Sequence, residues 1–91
     1  MFVATAQALV LAEYFRCRFP EGYWRGRHVL ELGAGVGVTA VALGLLGARV
    51  VATDIFLDCL EKNVAACSEA IQSASGSVVC AKYFWYACLP E

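Results

Sequence analysis

The residues best suited to chemistry stand together in one short stretch, Glu31-Leu32-Gly33-Ala34-Gly35-Val36-Gly37. Glycines at alternate positions let the backbone turn tightly and leave its N–H groups open to a ligand, and a side chain at Gly33 or Gly35 would obstruct both. An acid, Glu31, precedes them. A second acid, Asp54, closes an apolar run about twenty residues after Gly33, the separation at which an α/β nucleotide-binding unit brings a carboxylate to ribose hydroxyls. Each feature also has a plainer use. Glycines at a helix start serve tight packing, and Asp54 serves as the N-cap of a following helix, worth about 1 kcal/mol. A nucleoside ligand is the reading that uses both features together.

Such a site needs a strand before the turn and a helix after it, and the spacing of apolar residues supplies them. Ala8, Leu11, Phe15 and Arg18 fall at helical intervals with Leu9, Ala12 and Phe19 beside them, which predicts an amphipathic helix over 5–18, stopped by Pro20 and Gly22. The short apolar run 28–32 predicts a buried strand ending at the glycines. Small and aliphatic residues over 37–46 predict a helix capped by Gly47, and 49–53 a second strand closed by Asp54. Leu57, Leu60, Val64, Cys67 and Ile71 recur in steps of three and four, which predicts one helix with a single buried stripe. A loop over 73–77 leads to a third strand over 78–83 and the aromatic run Phe84-Trp85-Tyr86. The order α-β-α-β-α-β predicts an α/β fold with a three-stranded parallel sheet and right-handed crossovers. The glycine turn then lies beyond a strand end, where open α/β sheets bind ligands.

Two details narrow the ligand. The dinucleotide pattern G-x-G-x-x-G/A would place its third small residue at Val38, where a branched side chain wedges helix from strand. Glu31 would repel a pyrophosphate and attract an ammonium or sulfonium. S-adenosylmethionine is the adenosine-bearing cation that fits. The alternative for Glu31 is a strand-end acid paired with Arg25, Arg27 or solvent.

Composition bounds the rest. The chain has 91 residues, net charge −1, 60% hydrophobic and 16% charged residues, against roughly 45–50% and about 25% in ordinary soluble chains. That excludes a disordered tail and a basic field able to hold nucleic acid. Five cysteines and one histidine, with no C-x-x-C, imply neither a complete disulfide framework nor a zinc ligand set. Reduced thiols and a cytoplasmic location are expected, and no metal. The uncharged start 1–12 lacks the basic region of a signal peptide, and the uncharged run 32–48 is shorter than the roughly 20 residues of a membrane span and broken by glycine, so no membrane segment is expected. Tyr23, Tyr83, His28 and the cysteines are read as core or surface residues. No catalytic residue is assigned.

The stretch VLELGAGVGVTAVALGLLGARVVATD, from Val29 to Asp54, resembles motif I and the second strand of class I (seven-β-strand) S-adenosylmethionine-dependent methyltransferases, most of all their protein-lysine group. Leu57, Leu60, Asn63 and Val64 resemble that group's L-x-x-L-x-x-N-V pattern. The resemblance implies a Rossmann-like methyltransferase fold, truncated here, with residues 1–91 as part of one cofactor-binding domain holding three of seven strands. It implies that Glu31, Gly33, Gly35 and Gly37, with Ala34 between them, surround the methionine part of the cofactor and that Asp54 holds the ribose. Trp85 resembles the tryptophan of a strand-end D-W-G near the adenine, while Phe84, Tyr86 and Thr5 depart from the group's pattern.

The implied function is the cofactor-binding portion of an enzyme that methylates a protein lysine side chain. The alternative from another class is a non-catalytic remnant serving as a weak cofactor-binding or interaction module. A nicotinamide-binding fragment is disfavoured by Val38 and Glu31. In the resembled fold the first strand lies between the second and the fourth, so truncation opens its edge, and both crossovers leave one sheet face bare. Self-association through that edge is expected.

Overall fold

The computed structural model describes residues 6–82. Among them the elements run α1 (Ala6–Cys17), β1 (His28–Leu32), α2 (Val38–Leu45), β2 (Arg49–Asp54), α3 (Asp58–Ala66), α4 (Ser68–Ser73) and β3 (Ser77–Lys82). The strands are parallel in the order β1-β2-β3, with Leu30 opposite Val51 opposite Val79, and Glu31 opposite Ala52 opposite Cys80. The expected α/β architecture is therefore present: β1 has the expected bounds, β2 runs one residue further to include Asp54, and β3 starts at Ser77, one residue before the expected start.

Strand alternation assigns the two faces. Val50 and Ala52 are fully buried beneath Ala40, Leu43 and Leu60 from the helices, and Val29, Val78 and Cys80 pack against this cluster from the neighbouring strands. The intervening residues point the other way. Leu30, Val51 and Val79 form a row across all three strands and are 65%, 40% and 58% exposed. All the buried apolar residues on the sheet thus lie on one face, as expected for two crossovers of the same hand.

The α2–β2 connection follows from glycine. Gly47 has φ +94°, its N–H donates to the Gly44 carbonyl at 3.0 Å, and the Ala48 N–H donates to the Leu43 carbonyl at 3.0 Å. This pair of bonds closes the helix with a left-handed residue and satisfies two of its terminal carbonyls. The sequence expectation that Gly47 caps this helix holds.

Two expectations about the helices change as well. The helix expected through Leu57–Ile71 is bent into α3 and α4 at Cys67, whose N–H donates to the Val64 carbonyl three residues back, at 3.1 Å. Leu60 seats against Gly37 and Ile71 against Gly44. A straight helix would hold those two anchors about 16 Å apart, whereas the seats on α2 are only about 10 Å apart, and the bend reconciles them. On α1 the inward line is Ala8, Ala12, Phe15 and Phe19, all partly buried, while Leu11 is 43% exposed and Arg18 is exposed. The narrow alanine face lets α1 lie close against α2, and the Trp24 indole N–H donates to the Phe15 carbonyl at 3.0 Å, turning this end of the stripe toward the core. No helix among the described residues is long and apolar enough to cross a membrane.

Candidate functional site

The turn between β1 and α2 is tied from behind by β2 and α3. The Ala34 N–H donates to the Thr53 carbonyl at 2.8 Å, and the Thr53 hydroxyl donates to the Glu31 carbonyl at 2.7 Å. The Gly35 N–H donates to Asp54 Oδ2 at 2.8 Å. From α3, the Asn63 side-chain amide donates to the Val36 carbonyl at 2.6 Å. Beneath it, Leu60 lies so close to Gly37 that a Cβ there would sit 2.8 Å from Leu60 Cδ1. Sequence periodicity presents Leu60 and Asn63 on successive turns of α3, which is how one helix supplies both the apolar stop and the polar tie.

The front of the turn is open in space, although the Ala34 and Gly35 N–H groups, expected from sequence to be left for a ligand, are already given to Thr53 and Asp54. Gly35 has φ +61°, a region costly for residues with a side chain, yet an added Cβ would meet nothing within 4 Å, and the same holds at Gly33. This empty space belongs to a cavity of about 430 Å³ between the turn and α1. Glu31, Gly33, Ala34 and Gly35 line it, together with Gln7 of α1 and Thr39 of α2. No Lys, Arg or His among the described residues lines it.

Glu31 shares the helix-covered face of β1 with Val29. Its Oε1 is buried and has no hydrogen-bond partner among the described residues, and burial pushes its carboxyl pKa upward. The pairing with Arg25 or Arg27 entertained from sequence does not form. The Arg27 side chain instead donates to the Tyr23 carbonyl at 2.6 Å and stacks 3.8 Å above the Tyr23 ring. A carboxylate oxygen out of water and unpaired is costly unless a cation or donor completes it. The cavity therefore suits a positively charged group, and its lack of basic side chains makes it a poor seat for a pyrophosphate.

Asp54 serves the backbone in this structure. Its Oδ1 accepts from the Ile55 and Phe56 N–H groups at 2.7 and 3.3 Å, while Oδ2 accepts from Gly35. It is not the N-cap of α3, which is Leu57. Of the residues expected from sequence, Glu31, Gly33, Ala34 and Gly35 line one cavity, and Gly37 and Asp54 hold the turn from outside it. Trp85 lies outside the described residues. Sequence reasoning missed Gln7 and Thr39, for which no pattern gives a signal. Asn63 carried a signal only as part of a helix pattern.

Comparison with known proteins places the chain in sequence and fold. A family model described as lysine methyltransferase matches residues 4–91. The chain is 40% identical over 48 residues to the protein-lysine methyltransferase METTL21E of Mus musculus, covering 53% of this chain and 20% of that one. It is 39% identical over 61 residues to EEF1A lysine methyltransferase 3 of Xenopus tropicalis, covering 65% and 26% respectively. These alignments thus span a fifth to a quarter of the relatives' length. Among solved structures, phosphoethanolamine N-methyltransferase 1 of Haemonchus contortus, in complex with phosphoethanolamine and S-adenosylhomocysteine, superposes with TM-score 0.57 at 22% identity, over 88% of this chain and 16% of that one. The C-terminal domain of precorrin-6Y C5,15-methyltransferase from Rhodobacter capsulatus gives TM-score 0.50 at 23% identity, over 72% and 36%. At such identities the structural matches speak for the fold alone.

Proposed function

The chain belongs to the lysine methyltransferase family, and on that footing we propose that it is the S-adenosylmethionine-binding portion of a methyltransferase that acts on a protein lysine side chain. The observation that carries the proposal is the buried, unpartnered Oε1 of Glu31 in a cavity without basic side chains. In the proposed site Glu31 takes the ammonium of the cofactor's amino-acid group, and the open backbone of Gly33, Ala34 and Gly35 lies along it. Asp54 takes a ribose hydroxyl on Oδ2 beside the Gly35 N–H, because a carboxylate offers about four lone-pair sites and three N–H groups occupy the others. Trp85 is proposed to lie near the adenine.

When bound, the cofactor supplies a methyl group on a sulfonium, which is its own leaving group. The chain's contribution is to bind and orient, and no residue is assigned a proton transfer. A protein methyl acceptor and a cytoplasmic location belong to the same proposal. Cys17, Cys59, Cys67 and Cys80 are unpaired thiols, in keeping with a reducing compartment. Self-association through the free edge of β1 is proposed as well, on the ground that β1 pairs on one side only among the described strands.

Calorimetric titration with S-adenosylmethionine tests the site. Asp54→Ala and Gly35→Val should each weaken binding sharply, the first by removing the ribose acceptor and the second by filling the cavity. Unchanged affinity in both variants would overturn the reading. Binding that responds to both variants but yields no methyl transfer to any lysine-bearing protein would favour the module that binds without catalysis.

A further inference from the structure

We propose that Gln7 is the positioning residue for the carboxylate of the cofactor's amino-acid group, and so makes the cavity selective for an amino acid over a simple amine. The proposal rests on the reading of the site given above and adds a residue to it.

The chemistry of the two ends of an amino acid differs. Its ammonium suits Glu31, whose buried oxygen lacks a partner. Its carboxylate enters the same cavity and would be repelled by Glu31 unless a donor faces it. No lysine, arginine or histidine among the described residues lines the cavity, so the donor must be neutral. The lining side chains that carry an N–H or O–H are Gln7 and Thr39. Thr39 is 6% exposed in the first turn of α2, with a short side chain that serves only what reaches that turn. Gln7 is exposed on α1, on the wall facing the turn, beside the apolar lining residues Ala8 and Leu11. Its amide makes no hydrogen bond to another described residue, and it brings two N–H donors on a flexible stem.

Charge supports a neutral donor. An S-adenosylmethionine tail carries a sulfonium, an ammonium and a carboxylate, a net single positive charge, and one ionised Glu31 with a neutral amide complements that sum. A lysine in place of Gln7 would cancel the charge of Glu31 and favour the carboxylate more strongly. An acid there would repel it.

The test is calorimetry on the 91-residue chain with two ligands, S-adenosylmethionine and its decarboxylated analogue, which keeps the adenosine, sulfonium and ammonium. Gln7→Ala should weaken S-adenosylmethionine about tenfold and leave the analogue within twofold. Gln7→Glu should weaken S-adenosylmethionine further without weakening the analogue, and Gln7→Lys should widen the preference for S-adenosylmethionine. Because Gln7 is exposed, the melting temperature of each variant should match the parent chain. A Gln7→Ala variant that binds S-adenosylmethionine as the parent does, or that loses both ligands equally, overturns the assignment and leaves the cofactor site standing. A parent chain that binds neither ligand overturns both.

Discussion

Glu31→Gln should make the chain more stable at neutral pH while weakening its hold on S-adenosylmethionine. Burial raises the Glu31 carboxyl pKa above the ordinary glutamate value of about 4.3. The folded chain therefore binds that proton more tightly than the unfolded chain. The resulting stabilisation is fully present below the unfolded pKa and is lost as pH rises through the folded one. At pH 7 the ionised carboxylate, with Oε1 buried and unpartnered, is a cost to folding that a neutral amide reduces. The melting temperature of Glu31→Gln should exceed that of the parent at pH 7, with the difference closing as pH falls below about 4.

Binding should move the other way. A hydrogen bond to a charged group contributes about 1.5–3 kcal/mol, which would be roughly 10- to 100-fold in affinity. Glu31 is only partly buried, so solvent screening puts the expected loss near the lower end, about tenfold. Scanning calorimetry from pH 3.5 to 7.5 and titration with S-adenosylmethionine at pH 7 measure the two effects. A variant that melts lower while binding unchanged would make Glu31 a structural anchor. A parallel loss of stability and affinity would mean that the affinity change only reports damage to the fold. Either result refutes the reasoning.

The glycines of the turn separate in the same way. Gly37→Ala should cost about 2–4 kcal/mol in urea melts, from left-handed strain and overpacking on Leu60, whereas Gly35→Ala, with strain but open space, should cost about 1–2 kcal/mol. Asn63→Leu leaves the Val36 carbonyl without its donor; urea melts should show a loss of about 1–2 kcal/mol, and titration a weaker S-adenosylmethionine complex, although Asn63 does not line the cavity. Placing charges on the exposed sheet face by Leu30→Lys with Val79→Lys should leave the sedimentation profile at a given concentration close to the parent's, because the proposed association runs through the β1 edge, and a shift to monomer would move the association to that face.

The parts of the fold legible in sequence are those fixed by local chemistry. The residues His28-Val29-Leu30-Glu31-Leu32 announce β1 to the residue, because the run is short and ends at glycines needed for positive φ. Gly47 announces the end of α2 for the same reason. What was illegible depends on partners distant in sequence. The unbroken period from Leu57 to Ile71 hides the bend at Cys67, since that bend answers to the spacing of two seats on α2. The end of α4 is legible to within a residue, at the loop over 73–77, but not the way it is closed. There Ser75 takes φ +62° and its N–H donates to the Gln72 carbonyl, so a serine does the work that glycine usually signals. Gln7 joins the cavity only because α1 packs on α2, and nothing in its neighbours along the chain marks it.

The division of labour at the turn explains why its acids play different parts. The ties to the turn from elements distant in sequence come from β2 and α3: Thr53 on Ala34, Asp54 on Gly35, Asn63 on Val36 and Leu60 under Gly37. The backbone is thus held in its working shape before any ligand arrives, and a ligand would pay little to order it. Asp54 is spent largely on that task, with three N–H groups on one carboxylate, so its charge is already partly satisfied. Glu31 has no such duty. Its buried oxygen is left over after all the bonds that build the fold are made, and a charge left over at the edge of a preformed cavity has a use only when something of opposite charge enters.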